Sequence, residues 1–201
     1  MSKAEILSPD TYITMPWRNG LGSTVEIMKR TIPDSEDFVW RISMADVVTD
    51  GPFSCFNNSD RTLLLLNGNG MTLDIKKEQT NSTETISLSD PLQGARFRGD
   101  DPTIATLHNG PITDFNIMTH RDHCDAEVVC GHEPEESNIA INCDEALIYC
   151  VTGELSVESE SGKKWVLPDN ITLYVRKPAE QNFVLSGGKF IAIQIRFNDA
   201  D

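Results

Sequence analysis

Short apolar segments, separated at close intervals by Gly, Pro, Asn and Asp, are the feature that most limits how this 201-residue chain can fold. Residues 38–44 alternate strictly, which predicts a strand with Trp40 among the large apolar side chains of one face. Arg41 and Ser43 then share the other face. Residues 61–66 end in four consecutive leucines, which are apolar on both faces, as expected of a central strand. Because no strong apolar segment keeps a helical period, we expect an all-β barrel or sandwich.

A weak internal repeat runs through the chain. An apolar strand, a glycine-containing turn and a second strand occur at residues 63–75 and again at residues 146–157. A late apolar strand closes each half, at residues 115–118 and 190–195. The alternative is that any β protein contains such strand-turn-strand pieces, but two similar β units are the interpretation that we favour.

The repeat predicts two barrels of the cupin type, the double-stranded β-helix, in one chain. A polar, acidic stretch between about residues 120 and 140 has the composition of a connection. We therefore expect an N-terminal barrel at residues 1–122 and a smaller C-terminal barrel at residues 123–201, closely packed on the first.

Composition and charge exclude several classes of partner. The formal net charge of −14 argues against nucleic acid and against an anionic membrane surface, which both attract clustered Lys and Arg. No apolar run approaches the length of a membrane span, and residues 1–5 lack the start of a secretory signal. The five cysteines are scattered without a CxxC pair, which is typical of reduced thiols. We expect a cytoplasmic protein.

Metal and nucleophile motifs are missing where a cupin would carry them. Metal-dependent cupins place histidines near the turn between the two strands of each half, and neither turn of this chain contains one. No GxSxG elbow surrounds any serine. Zinc-ligand residue types do cluster near the inferred connection, but without paired spacing, so we assign them surface and core roles and predict no metal or cofactor. They are His120, His123, Cys124, Cys130 and His132.

Three arginines stand in apolar or glycine-rich surroundings instead of charged runs. They are Arg18, Arg41 and Arg61. The guanidinium fork binds a carboxylate through two parallel hydrogen bonds, so these residues are candidates for an anion site. The alternative is a structural ion pair, for example Arg61 with Asp50 or Asp46, because buried charges are normally paired.

Several of these segments, in order, resemble the HutD/Ves family of two-barrel cupins, which is associated with histidine degradation in bacteria. The resemblance covers most of the chain. It is carried by Trp17-Arg18-Asn19-Gly20 with Thr24-x-Glu26-Ile27, by residues 38–45, by residues 51–56, by Asp60-Arg61 with the Leu-rich strand, and by residues 114–119.

The family likeness implies a metal-free barrel pocket that binds a small carboxylate, with formylglutamate or formate suggested as ligand, and a regulatory role in histidine utilisation. By that likeness the pocket would be formed by Trp17, Arg18, Asn19, Arg41, Ser43, Arg61 and Asn116. The chain departs from the family at Val25, where an arginine is frequent, and at Asn57-Asn58, where Pro-Gly is usual. The missing arginine predicts a change in anion affinity.

Three kinds of function remain open at this point. The first is a ligand-binding regulatory protein, and the second is a metal-independent cupin enzyme, an isomerase or hydrolase acting on a small acid or sugar. The third is a structural or protein-interaction role. No histidine falls in the arginine-bearing blocks, so a conspicuous catalytic base is missing and binding without catalysis is favoured. The sequence leaves a homodimer open, and the arginine-poor second half is expected to be a structural partner of the first.

Overall fold

The alternating segments of the sequence form β-strands along the whole described chain, so the all-β prediction is confirmed. The protein was analysed as a computed structural model that describes residues 3–17, 22–132, 136–178 and 182–198. These residues contain seventeen strands and one 3₁₀ turn, Pro9–Thr11. The strands are β1 (Lys3–Leu7), β2 (Ile13–Pro16), β3 (Gly22–Thr31), β4 (Phe38–Val47), β5 (Gly51–Pro52), β6 (Ser59–Asn67), β7 (Met71–Lys77), β8 (Ser82–Leu88), β9 (Gly94–Arg98), β10 (Thr103–Leu107), β11 (Ile112–His120), β12 (Cys124–Gly131), β13 (Ser137–Ala140), β14 (Glu145–Ser159), β15 (Lys164–Leu167), β16 (Thr172–Arg176) and β17 (Asn182–Phe197).

The chain divides into two units. The first unit is Tyr12–His123, and the second unit combines Met1–Thr11 with Cys124–Asp201. The sequence interpretation had assigned the N-terminus to the first barrel. The structure differs there because β1 pairs antiparallel with β16, so the first strand of the chain completes a sheet of the second unit. No helix long and apolar enough to cross a membrane occurs in the described part of the chain.

Two antiparallel sheets build the first unit. One has six strands in the order β2-β3-β4-β11-β6-β9, and the other has four in the order β5-β10-β7-β8. The chain passes from the first sheet to the second through the turn after β6, where Gly68 and Gly70 both adopt positive φ. Buried apolar side chains from both sheets form one continuous core. Its members include Leu63 and Leu65 of β6, Met71, Leu73 and Ile75 of β7, and Ala105 of β10.

The second unit is organised around one long strand, β14, which pairs with β17 along both of its halves. The sequence predicted two strands here with a turn at Gly153. Instead the chain continues in the same sheet, and the pairing register shifts on either side of Thr152, as in a β-bulge. Gly153 has φ of 91°, so glycine accommodates this irregularity. The interior is an apolar cluster that includes Ile148, Leu155 and Leu185.

Truncation of the first unit's core should destabilise the protein. Leu73 of β7 is fully buried, so Leu73→Ala is expected to lower the free energy of unfolding by about 2–5 kcal/mol through lost burial and a cavity. Ile104 on the neighbouring strand β10 is 54% exposed, and Ile104→Ala is the matched control, with a change below about 0.5 kcal/mol. Urea denaturation measures both, and equal losses would contradict the packing described here.

Candidate functional site

A cavity of about 420 Å³ opens into the first unit. Its volume lies in the lower part of the range of about 300–1,000 Å³ that is usual for small-molecule sites. Strands β3, β4, β6 and β11 contribute the polar part of the wall, and residues 49–56 contribute Phe53 and Phe56. Apolar core residues such as Leu63 and Leu65 lie on the same face of β6 as Arg61, because successive side chains of a strand alternate between faces. The cavity therefore adjoins the apolar core.

Strand register brings two arginines together on one face. Met118 of β11 is paired with Arg41 of β4 on one side and with Arg61 of β6 on the other, so the three side chains form a row across the sheet. All three residues line the cavity. The side chains therefore project from neighbouring strands into one space, although twenty residues of chain separate the two arginines.

The next two residues of β11 on this face carry an amide and a carboxylic acid. Asn116 lies beside Ser43 of β4, and Asp114 lies beside Ala45 of the same strand. Since residues two apart on a strand share a face, Asp114, Asn116 and Met118 all point to the cavity side. β11 thus contributes both an amide, that of Asn116, and a carboxyl group, that of Asp114, to the cavity wall.

Five of the seven residues predicted to form a pocket line this one cavity. They are Trp17, Arg41, Ser43, Arg61 and Asn116. The other two, Arg18 and Asn19, lie outside the described residues. The indole nitrogen of Trp17 donates a hydrogen bond to Oγ1 of Thr24 at 2.9 Å, which orients the ring at the cavity wall. Their common location supports the grouping, and their role in binding stays a prediction.

Arg61 is buried, with 7% of its surface exposed, and it stacks on aromatic rings. Its Cζ atom lies 4.6 Å from the ring centroid of Phe53 and 5.6 Å from that of Phe97. Its Nε donates to Oδ1 of Asn116 at 2.7 Å. Burial lowers the pKa of Arg61, while the nearby Asp114 opposes that shift, and a guanidinium stays protonated in either case.

Arg61 has no carboxylate within ion-pair distance among the described residues, so the structural pair considered from the sequence is not formed. Asp46 accepts a hydrogen bond from Oγ1 of Thr113, and Asp50 accepts one from the backbone N–H of Leu107. Arg61 therefore lines the cavity without a direct ion pair, and the charge of Asp114 opposes its own only from beyond ion-pair distance.

Arg41, in contrast, is neutralised by a neighbour. Its Nε donates to Oε2 of Glu26 at 2.7 Å, and Glu26 is buried beside it on β3. Sequence reasoning did not include Glu26 in the pocket. The signal was present, since Glu26 is the one acid of β3, and Thr24 of the same strand face also lines the cavity.

Asp114 is the residue of the cavity wall that sequence reasoning missed. It is fully buried, and Nδ2 of Asn116 donates a short hydrogen bond to its Oδ1 atom. Its Oδ2 atom is buried without a hydrogen-bond partner in the described part of the chain. Burial raises the pKa of Asp114 to about 6, and the charge of Asp46 adds to the rise, while Arg61 and the Asn116 hydrogen bond oppose it. A buried carboxyl with a raised pKa in a cavity is a common feature of functional sites.

Val25 does not remove a charge from this cavity. Its pairing partner is Met44 on β4, whereas the cavity residues Thr24 and Ser43 lie on the opposite face of the same two strands. The expectation that Val25 changes anion affinity assumed a side chain directed at the pocket. Alternation along β3 directs it to the other face instead.

The histidines and cysteines near residue 124 show no metal-site geometry. The rings of His120 and His123 lie 4.8 Å apart in a turn, and Cys124 is buried. Among the described residues, no group of three or more His, Cys, Asp or Glu side chains converges as a metal site would require. The cavity residues are arginine, amide, hydroxyl and carboxylate groups, which suit an organic ligand with polar ends.

Comparison with known proteins agrees with this architecture. The family described as HutD matches residues 9–193. Protein Ves from Citrobacter koseri is 40% identical over 114 residues, which are 56% of this chain and 56% of that protein. An uncharacterized 21.2 kDa protein in the hutC 3′ region of Pseudomonas putida is 32% identical over 118 residues, 59% of each chain. The matches thus span a little over half the length of these curated relatives.

Structural similarity extends over nearly the whole chain. The structure of HutD from Pseudomonas fluorescens SBW25, determined in a formate condition, superposes with a TM-score of 0.83 at 28% sequence identity. The match covers 98% of this chain and 100% of that one. The cupin-type fold expected from the strand-glycine-strand pattern is therefore confirmed.

Because the pKa of Asp114 is raised, the effect of replacing this residue on the stability of the protein should depend on pH. Between about pH 4 and pH 6 the unfolded chain releases this proton while the folded protein keeps it, so stability falls as pH rises through that window. Asp114→Asn cannot ionise. Its stability relative to wild type should therefore increase by about 2–3 kcal/mol from pH 4 to pH 8, at about 1.4 kcal/mol per pKa unit. Urea unfolding at both pH values measures this, and parallel pH profiles for the two proteins would contradict it.

Proposed function

The chain belongs to the HutD family, and from that premise we propose that it binds a small carboxylate in the metal-free cavity of its first unit. The ligand is formate-like or formylglutamate-like, and the binding serves regulation of histidine utilisation. The names of two relatives support this direction. One is a HutD protein studied in a formate condition, and the other lies in a hutC region.

One observation carries the proposal, namely the buried charge of Arg61. Burying a guanidinium without a carboxylate partner is costly, and its described hydrogen-bond partner is the neutral amide of Asn116. A ligand carboxylate that enters the cavity would supply the missing negative charge. The planar fork of arginine suits two parallel hydrogen bonds to such a group.

The charges around the cavity predict moderate affinity. Glu26 already neutralises Arg41, and an ionised Asp114 partly offsets Arg61. Two hydrogen bonds to a charged group contribute about 1.5–3 kcal/mol each, less the cost of immobilising the ligand. Even before that cost, these two bonds give at most about 6 kcal/mol, which corresponds to a dissociation constant no lower than about 40 μM. The overall charge of −14 acts weakly here, since salt screens beyond about 8 Å.

A second candidate, a metal-independent enzyme acting on a small acid, is favoured by Asp114. The sequence lacked a conspicuous base, and a buried carboxyl with a pKa of about 6 is suited to accept or return a proton near neutral pH. Incubating the protein with each bound acid and following the acid by proton NMR separates the two functions. An unchanged acid supports binding alone, and a new product signal that depends on Asp114 supports the enzyme.

Removing Arg61 should weaken carboxylate binding. Titration calorimetry with formate, formylglutamate and urocanate identifies an acid that binds, and Arg61→Gln is expected to raise its dissociation constant about tenfold or more. Arg61→Lys keeps the positive charge but loses the planar guanidinium fork, so its dissociation constant should lie between those of the wild type and Arg61→Gln. Arg96→Gln, at a largely exposed arginine of the adjacent strand β9, is the matched control and should bind as wild type does.

Melting curves of all four proteins show whether each variant is folded. If none of the acids binds to the folded wild-type protein, or if the acid that binds is held equally well by Arg61→Gln, carboxylate binding at this site is rejected.

A further inference from the structure

We propose that Asp114 sets the specificity of the cavity, which takes small acids that also carry an N–H or O–H donor. The donor binds Oδ2 of Asp114, and the carboxylate of the same ligand binds Arg61. This inference rests on the proposed carboxylate binding and adds to it the chemical class of the ligand. An acid without such a donor, for example formate, would bind Arg61 and leave Oδ2 of Asp114 without a partner.

The direction of the hydrogen bonds around Asp114 follows from Arg61. A guanidinium can only donate, so the amide group of Asn116 must turn its oxygen towards Arg61. The amide nitrogen then faces Asp114 and donates to Oδ1. The relay from Arg61 through Asn116 therefore ends at Asp114, and its second oxygen, Oδ2, is left as the terminal acceptor.

That terminal acceptor lacks a donor in the described part of the protein. Oδ2 of Asp114 is buried without a hydrogen-bond partner, although nearly all buried polar atoms of folded proteins have one. Asp114 is also part of the cavity wall. A ligand donor is the group that this position lacks, whereas a ligand acceptor there would face a second acceptor.

Charges of both signs surround this part of the cavity. Arg61 and Arg41 both act on this part of the cavity, and Arg61 feels the charge of Arg41 as well as that of Asp114. Glu26 pairs with Arg41, the charge of Asp46 acts on Asp114, and Asp50 lines the same cavity. Asp46 and Asp50 each accept a hydrogen bond from the protein. Because a single amide bridges Arg61 and Asp114, the carboxylate and the donor of the ligand lie within a few bonds of each other.

Two acids that differ in one hydrogen-bond donor test this inference. N-formylglycine carries an amide N–H near its carboxylate, and N-formylsarcosine has a methyl group in place of that hydrogen. Titration calorimetry at pH 8, where Asp114 is ionised, should give a dissociation constant about tenfold or more lower for N-formylglycine, as expected for a hydrogen bond to a charged acceptor.

Asp114→Asn separates hydrogen bonding from the bulk of the methyl group. Asn116 still donates, so it holds the oxygen of the new amide, and the NH₂ group takes the place of Oδ2. The variant should lose the preference for N-formylglycine, with the two dissociation constants within about twofold, while Arg61 still binds the carboxylate. Asp74→Asn removes an acid of β7 that bonds Thr85 and does not line the cavity, and it should keep the full preference.

Each other outcome overturns the inference. Equal affinities in the wild type show that the site has no donor preference, and formate binding without N-formylglycine binding shows the same. A preference that persists in Asp114→Asn assigns the difference to the size of the methyl group. If formate and both N-formyl acids fail to bind, the proposed carboxylate site itself is rejected, and the donor preference with it.

Discussion

The antiparallel pairing of β11 with β4 on one side and β6 on the other is the interaction on which the site depends. This pairing places side chains from three strands in rows across the sheet. Met118 separates two arginines, and Asn116 and Asp114 follow on the same face. A one-residue slip of β11 would turn Asn116 and Asp114 away from the cavity, because alternate residues of a strand occupy opposite faces. The apolar side chains of the same face hold the register, since they too must stay in the core.

Stability and ligand recognition make opposite demands on this face. An apolar residue at position 114 would suit the core around Leu65, yet a carboxylate is buried there, and one of its oxygens has no hydrogen-bond partner among the described residues. Natural proteins tolerate such local costs mainly where a function needs the group. The neighbouring Arg61 and Asn116 reduce the cost without removing it, since the pKa of Asp114 remains raised to about 6. A permanently satisfied ion pair would be more stable and would leave less for a ligand to bind.

The alternation of apolar and polar residues predicted the features that depend only on neighbouring residues, such as which side chains share a strand face. Strict alternation in residues 38–44 identified the face that Arg41 and Ser43 share, and the confirmed family likeness supplied the cupin fold. Contacts between distant residues escaped prediction. Arg61 meets Asn116 across 55 residues of chain, so the register that joins them cannot be obtained from either segment alone. Asp114 was overlooked because an acid in a strand usually faces solvent, and only the pairing with β4 and β6 shows that it does not.

The pairing of β1 with β16 bears on the order in which the protein is made. Residues 3–7 are translated long before their partners at residues 172–176. The first unit, which contains the cavity, has all its strands between those two segments and can fold as they emerge. The backbone groups of β1 cannot form this pairing until β16 has been made. The second unit can therefore complete its sheet only after all the strands of the first unit have been translated.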